Sequence, residues 1–217
     1  MNYPIYLFDA YGTLFDVHSV QEKLHAMYPD KSEAISQEWR SRQVHYFMVR
    51  QLIDDYRPFD DITKWALIDA LAVNNVSQTD EDIKELMEQY KYLRPYPEVM
   101  TLTKDCAEKQ LTIFSNGTLD MLNPLLTHNR LEKDLEVISV DENKVYKPHP
   151  EAYRFALDKM DAEKDDVLFF SSNPWDIAGA ASYGLATAWV NRNEQKWPEL
   201  GISPNYNLKK LTDLSLS

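Results

Sequence analysis

The chain opens on Ile5-Tyr6-Leu7-Phe8, an unbroken apolar run that stops at Asp9 and is followed by the turn pair Gly12-Thr13. A short apolar run bounded by turn residues reads as a strand buried on both faces. After Asp16 the period changes. Over 19–93 apolar residues recur at helical spacing, and no strand pattern is visible. Ser19 and Glu22 have the spacing of a capping box. A long helix is predicted over 32–56, with Ile35, Trp39, Tyr46, Val49, Ile53 and Tyr56 on roughly one face and Pro58 ending it. A third helix is predicted over 62–72. Thr79 caps a fourth, with Asp80, Glu81 and Asp82 at its positive end. Pro95 and Pro97 then punctuate the chain.

From Glu98 the texture alternates. Helix 98–109 leads to strand 111–114, helix 119–129 to strand 135–138, helix 150–160 to strand 167–170, and helix 175–183 to strand 187–190. Alternation of this kind predicts an α/β fold with a doubly wound parallel sheet, Rossmann-like in plan. The first strand stands apart from the others across the helical stretch. That stretch is therefore predicted to be an inserted all-helical cap, residues 16–96, over the carboxyl edge of a core made of 1–15 and 97–217.

Composition narrows the function. The 217 residues suffice for one good core and a smaller lobe. A formal net charge of −12 argues against nucleic acid and anionic membranes as partners. Cys106, the single cysteine, excludes an internal disulfide and reads as a small buried hydrophobe. There is no apolar run long enough to span a bilayer and no basic segment leading an apolar one at the N-terminus, so the expected location is cytoplasmic. His18, His25, His45, His128 and His149 lack metal-ligand spacing and read as surface or capping residues.

The strand ends carry the chemistry. Asp9 follows the first strand, Ser115-Asn116 the second, and Ser171-Ser172-Asn173 with Asp176 the fourth. In a doubly wound sheet these ends converge on one crevice. The loop Tyr146-Lys147-Pro148-His149-Pro150, with Tyr153 just beyond, adds a lysine that could hold an ionised Asp9. Each has a plain account taken singly: turn formers, a solvated loop lysine, a helix-dipole acid. Together, at successive functional positions, they point to carboxylate chemistry.

The order Asp-x-Tyr-Gly-Thr-Leu-Phe-Asp, Ser-Asn-Gly, Tyr-Lys-Pro and Ser-Ser-Asn-x-Trp-Asp resembles the haloacid dehalogenase superfamily, and more narrowly its L-2-haloacid dehalogenases. The similarity extends to Trp39-Arg40 in the cap. It implies hydrolytic dehalogenation of small (S)-2-haloacids to (R)-2-hydroxyacids, without a cofactor, through an ester on Asp9, and it suggests a homodimer. In that scheme Thr13 and Ser171 orient Asp9, Lys147 is its counter-ion, and Ser115 takes the substrate carboxylate. Arg40, with Asn116, takes the halide, and Asn173 and Asp176 handle the hydrolytic water. Tyr11, Phe59 and Trp175 would wall the site, ordinary core packing being an equal reading for each. Tyr153 is counted with the substrate-binding set. Ala10, Ser41 and Val44 depart from the family pattern and would reshape the substrate pocket.

The alternative within the superfamily is a Mg²⁺-dependent phosphatase acting on a small phosphoester. Phosphatases place an acidic proton donor two residues after the nucleophile, where this chain has Tyr11, and a further acidic metal ligand where it has Ser171 and Ser172. A halide needs no proton to leave, so dehalogenation tolerates both losses. A non-catalytic binding protein on the same scaffold is the third reading, and intact Asp9, Lys147, Asn173 and Asp176 argue against it.

Overall fold

The structure is a computed structural model that describes residues 3–216. Strand β1 (Ile5–Phe8) is followed by a two-residue strand β2 (Phe15–Asp16), the helices α1 (Ser19–Met27), α2 (Ser32–Leu52), α3 (Phe59–Val73) and α4 (Asp80–Glu88), and a second two-residue strand β3 (Arg94–Pro95). Then come α5 (Val99–Asp105), β4 (Gln110–Ser115), α6 (Leu119–Asn129), β5 (Glu136–Ser139), α7 (Pro150–Met160), β6 (Val167–Ser171), α8 (Pro174–Tyr183), β7 (Ala186–Val190) and β8 (Tyr206–Leu208).

The large sheet has the order β5-β4-β1-β6-β7-β8, and all its pairings are parallel. The first strand in sequence thus lies between β4 and β6, with the chain winding outwards on both sides. This is the switch point of a doubly wound sheet, where a crevice opens beyond the carboxyl ends of the strands. β1 is buried along its whole length, as a strand covered on both faces must be. Helices α1 to α4 form the cap. They leave and rejoin the core through β2 and β3, which pair antiparallel, Phe15 opposite Pro95 and Asp16 opposite Arg94.

Several expectations need correction. Neither the β2–β3 ribbon nor β8 is predicted, because two- and three-residue strands leave no periodic signal. Ser19 and Glu22 form no capping box. His18 holds the cap position, and the Ser19 hydroxyl instead donates to the Asp16 carbonyl at 2.8 Å. The long helix stops at Leu52, and Asp54 turns the chain with φ 52. The next helix starts earlier than expected, at Phe59. The helix predicted over 98–109 shortens to Val99–Asp105, because a turn from the Lys109 amide to the Cys106 carbonyl redirects the chain into β4. The Thr79 cap forms as expected, reciprocally with Asp82.

The buried face of α2 also differs. Ser32, Ile35, Trp39, Gln43 and Phe47 face inward, while Val49 and Ile53 are exposed. The stripe runs through a glutamine that pattern reading skips as polar. Gln43 is fully buried because its amide donates to the Thr63 hydroxyl at 3.0 Å and its carbonyl accepts from the Tyr90 hydroxyl at 3.1 Å. It thereby joins α2, α3 and the segment leading back to the core. Removing one partner of a buried polar network costs more than the bond alone, since the others stay desolvated. Gln43→Ala should therefore lower unfolding stability by about 2 kcal/mol or more, read as a shift in urea midpoint. Gln43→Leu should recover part of that through filled volume.

Candidate active site

Asp9 continues β1 by one residue, its amide donating to the Phe170 carbonyl of β6 at 2.9 Å. The chain then folds back tightly: the amides of Thr13, Leu14 and Phe15 all point at the Ala10 carbonyl, at 3.3, 2.9 and 3.0 Å. Gly12 makes the turn with φ +83, and a Cβ there would lie 3.1 Å from the Ser172 hydroxyl. This fold-back brings the Thr13 hydroxyl to 2.9 Å from Asp9 Oδ2. The Asn173 amide reaches the same oxygen at 2.8 Å, and the Ser171 hydroxyl lies at 3.5 Å. The other oxygen, Oδ1, faces Lys147 Nζ at 3.1 Å.

Lys147 has no exposed surface. Its three ammonium hydrogens have three acceptors: Asp9 Oδ1, Asp176 Oδ2 at 2.7 Å and the Phe114 carbonyl at 2.9 Å. Burial works against the ammonium, but Asp176 and Asp9 outweigh it and hold the Lys147 pKa above its usual value. Burial, opposed by Lys147 and reinforced by Asp9, pushes the Asp176 carboxyl up to about 6. Asp176 is further held by Tyr153, whose hydroxyl lies 2.8 Å from Oδ1.

The predicted residues fall into two layers. Asp9, Thr13, Lys147, Ser171, Asn173 and Asp176 come together around the two carboxylates. Arg40 joins them from α2, its guanidinium donating to Asn173 Oδ1 at 3.1 Å across the cap–core boundary. Ser115 is buried, and its hydroxyl accepts from the Gly117 amide at 3.0 Å. Tyr11 passes close to Gly117, where a Cβ would come within 2.8 Å of its ring. The Tyr11 hydroxyl is buried without a hydrogen-bond partner, and burial pushes its pKa far up. Phe59 stacks on Tyr11 with ring centres 6.2 Å apart.

Three predicted residues sit elsewhere than expected. The Asn116 side chain is turned to the Lys147 main chain, donating to its carbonyl at 3.2 Å and accepting from its amide at 3.0 Å. It thus brackets the counter-ion. Tyr153 lies behind Asp176, fully buried, and orients that carboxylate rather than facing the cleft. Trp175 is only half-buried, packs on Phe47 and lines a separate outer groove with Pro148 and Leu200. Of the departures from pattern, Ser41 lines the cleft, Ala10 is buried with its carbonyl used by the fold-back, and Val44 packs against the core. The sequence reading missed Gln43 and Arg192. A cleft of about 600 Å³ between cap and core reaches Arg40, Gly12 and Asn173 from outside.

The donor set around Asp9 is made of hydrogen donors. Its two oxygens accept from an ammonium, an amide and two hydroxyls. A hard divalent cation needs several oxygen ligands turned towards it, and the described residues hold no cluster of three acidic, histidine or cysteine side chains.

A buried aspartate at the tip of the central strand, with a lysine counter-ion and a helical lid, is the arrangement of a capped, Rossmann-like enzyme that works through a carboxylate. The family model for haloacid dehalogenase-like hydrolases matches residues 3–184. The chain is 35% identical over 204 residues to haloacetate dehalogenase H-2 of Moraxella sp. (strain B), covering 93% of this chain and 91% of that one. It is 36% identical over 212 residues to (S)-2-haloacid dehalogenase 4A of Burkholderia cepacia, covering 96% and 91%. The solved L-2-haloacid dehalogenase from Xanthobacter autotrophicus with chloropropionic acid covalently bound superposes with a TM-score of 0.93 at 30% identity, over 98% of this chain and 97% of that one. The protein belongs to the haloacid dehalogenase-like hydrolases.

Breaking a buried ion pair leaves a stranded charge, here two. Lys147→Met should destabilise the fold by about 3 kcal/mol at neutral pH. The loss should shrink as the pH falls and the carboxyls take up protons, and pairing the change with Asp176→Asn should restore much of it. Thermal melts across pH check both.

Proposed function

We propose that this protein hydrolyses small (S)-2-haloacids to (R)-2-hydroxyacids and halide without a metal, through an ester on Asp9. The observation that carries the reading is the fence of hydrogen donors around Asp9, with a tyrosine where a phosphatase needs an acid. A carboxylate attacking a phosphate dianion needs a cation to screen the repulsion. A carboxylate attacking a carbon–halogen bond does not.

In the first step an Asp9 oxygen bonds to C2 from the side opposite the halogen. The carbon–halogen electron pair leaves with the halide, so the configuration inverts and no proton moves. Arg40 offers a cation to the departing halide. The Ser115 and Tyr11 hydroxyls both approach Gly117, which supports them as paired donors to the substrate carboxylate, and Phe59 backs the same wall. Water then attacks the ester carbonyl of Asp9. Asp176 accepts one of its protons and Asn173 steers it. The adduct then collapses by breaking the bond between the carbonyl carbon and the oxygen on C2. That oxygen takes the proton back from Asp176 and leaves as the hydroxyacid, and the Asp9 carboxyl loses its remaining proton to solvent. Lys147, Thr13 and Ser171 hold that carboxylate throughout. The proposal takes 16–96 as the cap over a core of 1–15 and 97–217. It also includes a cytoplasmic location and a homodimer, the latter supported by apolar Val49, Leu52 and Ile53 exposed at the end of α2; a monomeric mass by light scattering would overturn the dimer.

Chloride release from (S)-2-chloropropionate in the presence of EDTA tests the reaction, with chloroacetate alongside because the two relatives' names differ in that respect. Release unaffected by EDTA and abolished in Asp9→Asn is expected. Phosphate release that requires Mg²⁺, with no halide released, would overturn it.

Burial pushes the Asp176 carboxyl up to about 6, and only its ionised form accepts a proton. Turnover should therefore fall about tenfold per pH unit below that value and level off above it. Because the Tyr153 hydroxyl stabilises the ionised carboxylate, Tyr153→Phe should move this acidic limb to higher pH. An unmoved limb would take Asp176 out of the base role.

A further inference from the structure

Arg192 lies in the loop after β7, far along the chain from the nucleophile, yet its guanidinium is spent on the nucleophile's own loop. One terminal nitrogen donates to the Gly12 carbonyl at 3.2 Å, and the other to the Thr13 carbonyl at 2.9 Å. The same head donates to Glu98 Oε1 at 3.0 and 2.8 Å and stacks on the Tyr96 ring at 3.6 Å. Both side chains of the ion pair are largely buried, 18% and 12% exposed. Tyr96 and Glu98 directly follow β3, where the chain returns from the cap, and the Tyr96 amide bonds to the Leu14 carbonyl at 2.9 Å. One planar cation thus ties together the fold-back carrying Thr13, the returning linker of the cap, and the loop after β7.

We propose that Arg192 is a positioning residue for the nucleophile. By fixing two successive carbonyls it sets the pose of the loop from which the Thr13 hydroxyl holds Asp9 Oδ2. It also fixes that loop relative to the linker on which the cap, and with it Arg40, is mounted. Its charge is answered by Glu98, so it acts through geometry rather than by attracting the anionic substrate. A lysine carries the charge but lacks the rigid fork needed to span two carbonyls and a carboxylate while lying flat on a ring. Small misplacements of a reacting group cost rate steeply.

The inference rests on Asp9 being the attacking group, so the test has one arm that needs no activity. Amide hydrogen exchange is compared in wild type, Arg192→Lys and Glu98→Gln. In Arg192→Lys, exchange should rise at residues 12–15 and at Tyr96 while β4 and β6 keep their protection. Steady-state halide release should show kcat down about tenfold with KM little changed. Glu98→Gln should move both readouts in the same direction by less, and the double variant should be no worse than Arg192→Lys alone, as groups acting as a unit behave. Unchanged exchange, or a rise spread evenly over the sheet, overturns the proposal. So does a raised KM at unchanged kcat, which would make Arg192 a substrate ligand. If wild type releases no halide, the reading of Asp9 fails, and the exchange result still decides whether Arg192 sets the loop.

Discussion

Two carboxylates and one ammonium, taken out of water together, are the constraint from which the rest follows. A lone buried charge is prohibitively costly, and a buried pair persists only if every remaining donor and acceptor is met. Lys147 meets that condition with three acceptors for three hydrogens. The set still carries one negative charge in excess. Burial, with Asp9 adding to it, pushes the Asp176 carboxyl up, and the two carboxylates together hold the Lys147 ammonium protonated against its own burial. Desolvation thus sets Asp176 apart among the groups that meet at this lysine, its carboxyl pushed up into the range where it changes protonation near neutrality.

The surroundings can be read as supports for that arrangement. Asn116 grips the main chain of Lys147, Tyr153 grips Asp176, and Thr13 and Asn173 grip Asp9. They come from the segments after β1, β4 and β6 and from helix α7, so the site exists only when these separate parts of the chain are packed together. Arg40, supplied by the cap, adds a donor that is present only when the cap is seated over the core.

Much of this was legible in the sequence, for identifiable reasons. Strands buried on both faces leave short, mostly apolar runs, so β1, β4, β6 and β7 stood out, and the polar residues beyond β1, β4 and β6 marked the crevice. Asp9, Lys147, Asn173 and Asp176 were findable only as a set: each has an ordinary use taken singly, and it is their spacing along successive strand ends and one loop that marks them. What escaped depends on contacts between distant residues. Gln43 and Arg192 look like ordinary polar surface residues until the fold brings Thr63, Tyr90 and Glu98 to them. Asn116 and Tyr153 were recognised as important but expected to touch substrate, because spacing gives proximity to the crevice and not the direction a side chain turns. Trp175 shows the same limit from the other side.

The paired strands β2 and β3 carry a consequence for how such a protein could change over time. The chain departs for the cap and comes back at adjacent points, Phe15 beside Pro95 and Asp16 beside Arg94. Everything between those points is, in terms of connectivity, an excursion whose two ends already touch. Lengthening, shortening or exchanging it adds little closure entropy and leaves the sheet's hydrogen bonding alone. The carboxylate apparatus below could therefore be inherited unaltered while the roof, and with it the arginine it supplies, is replaced.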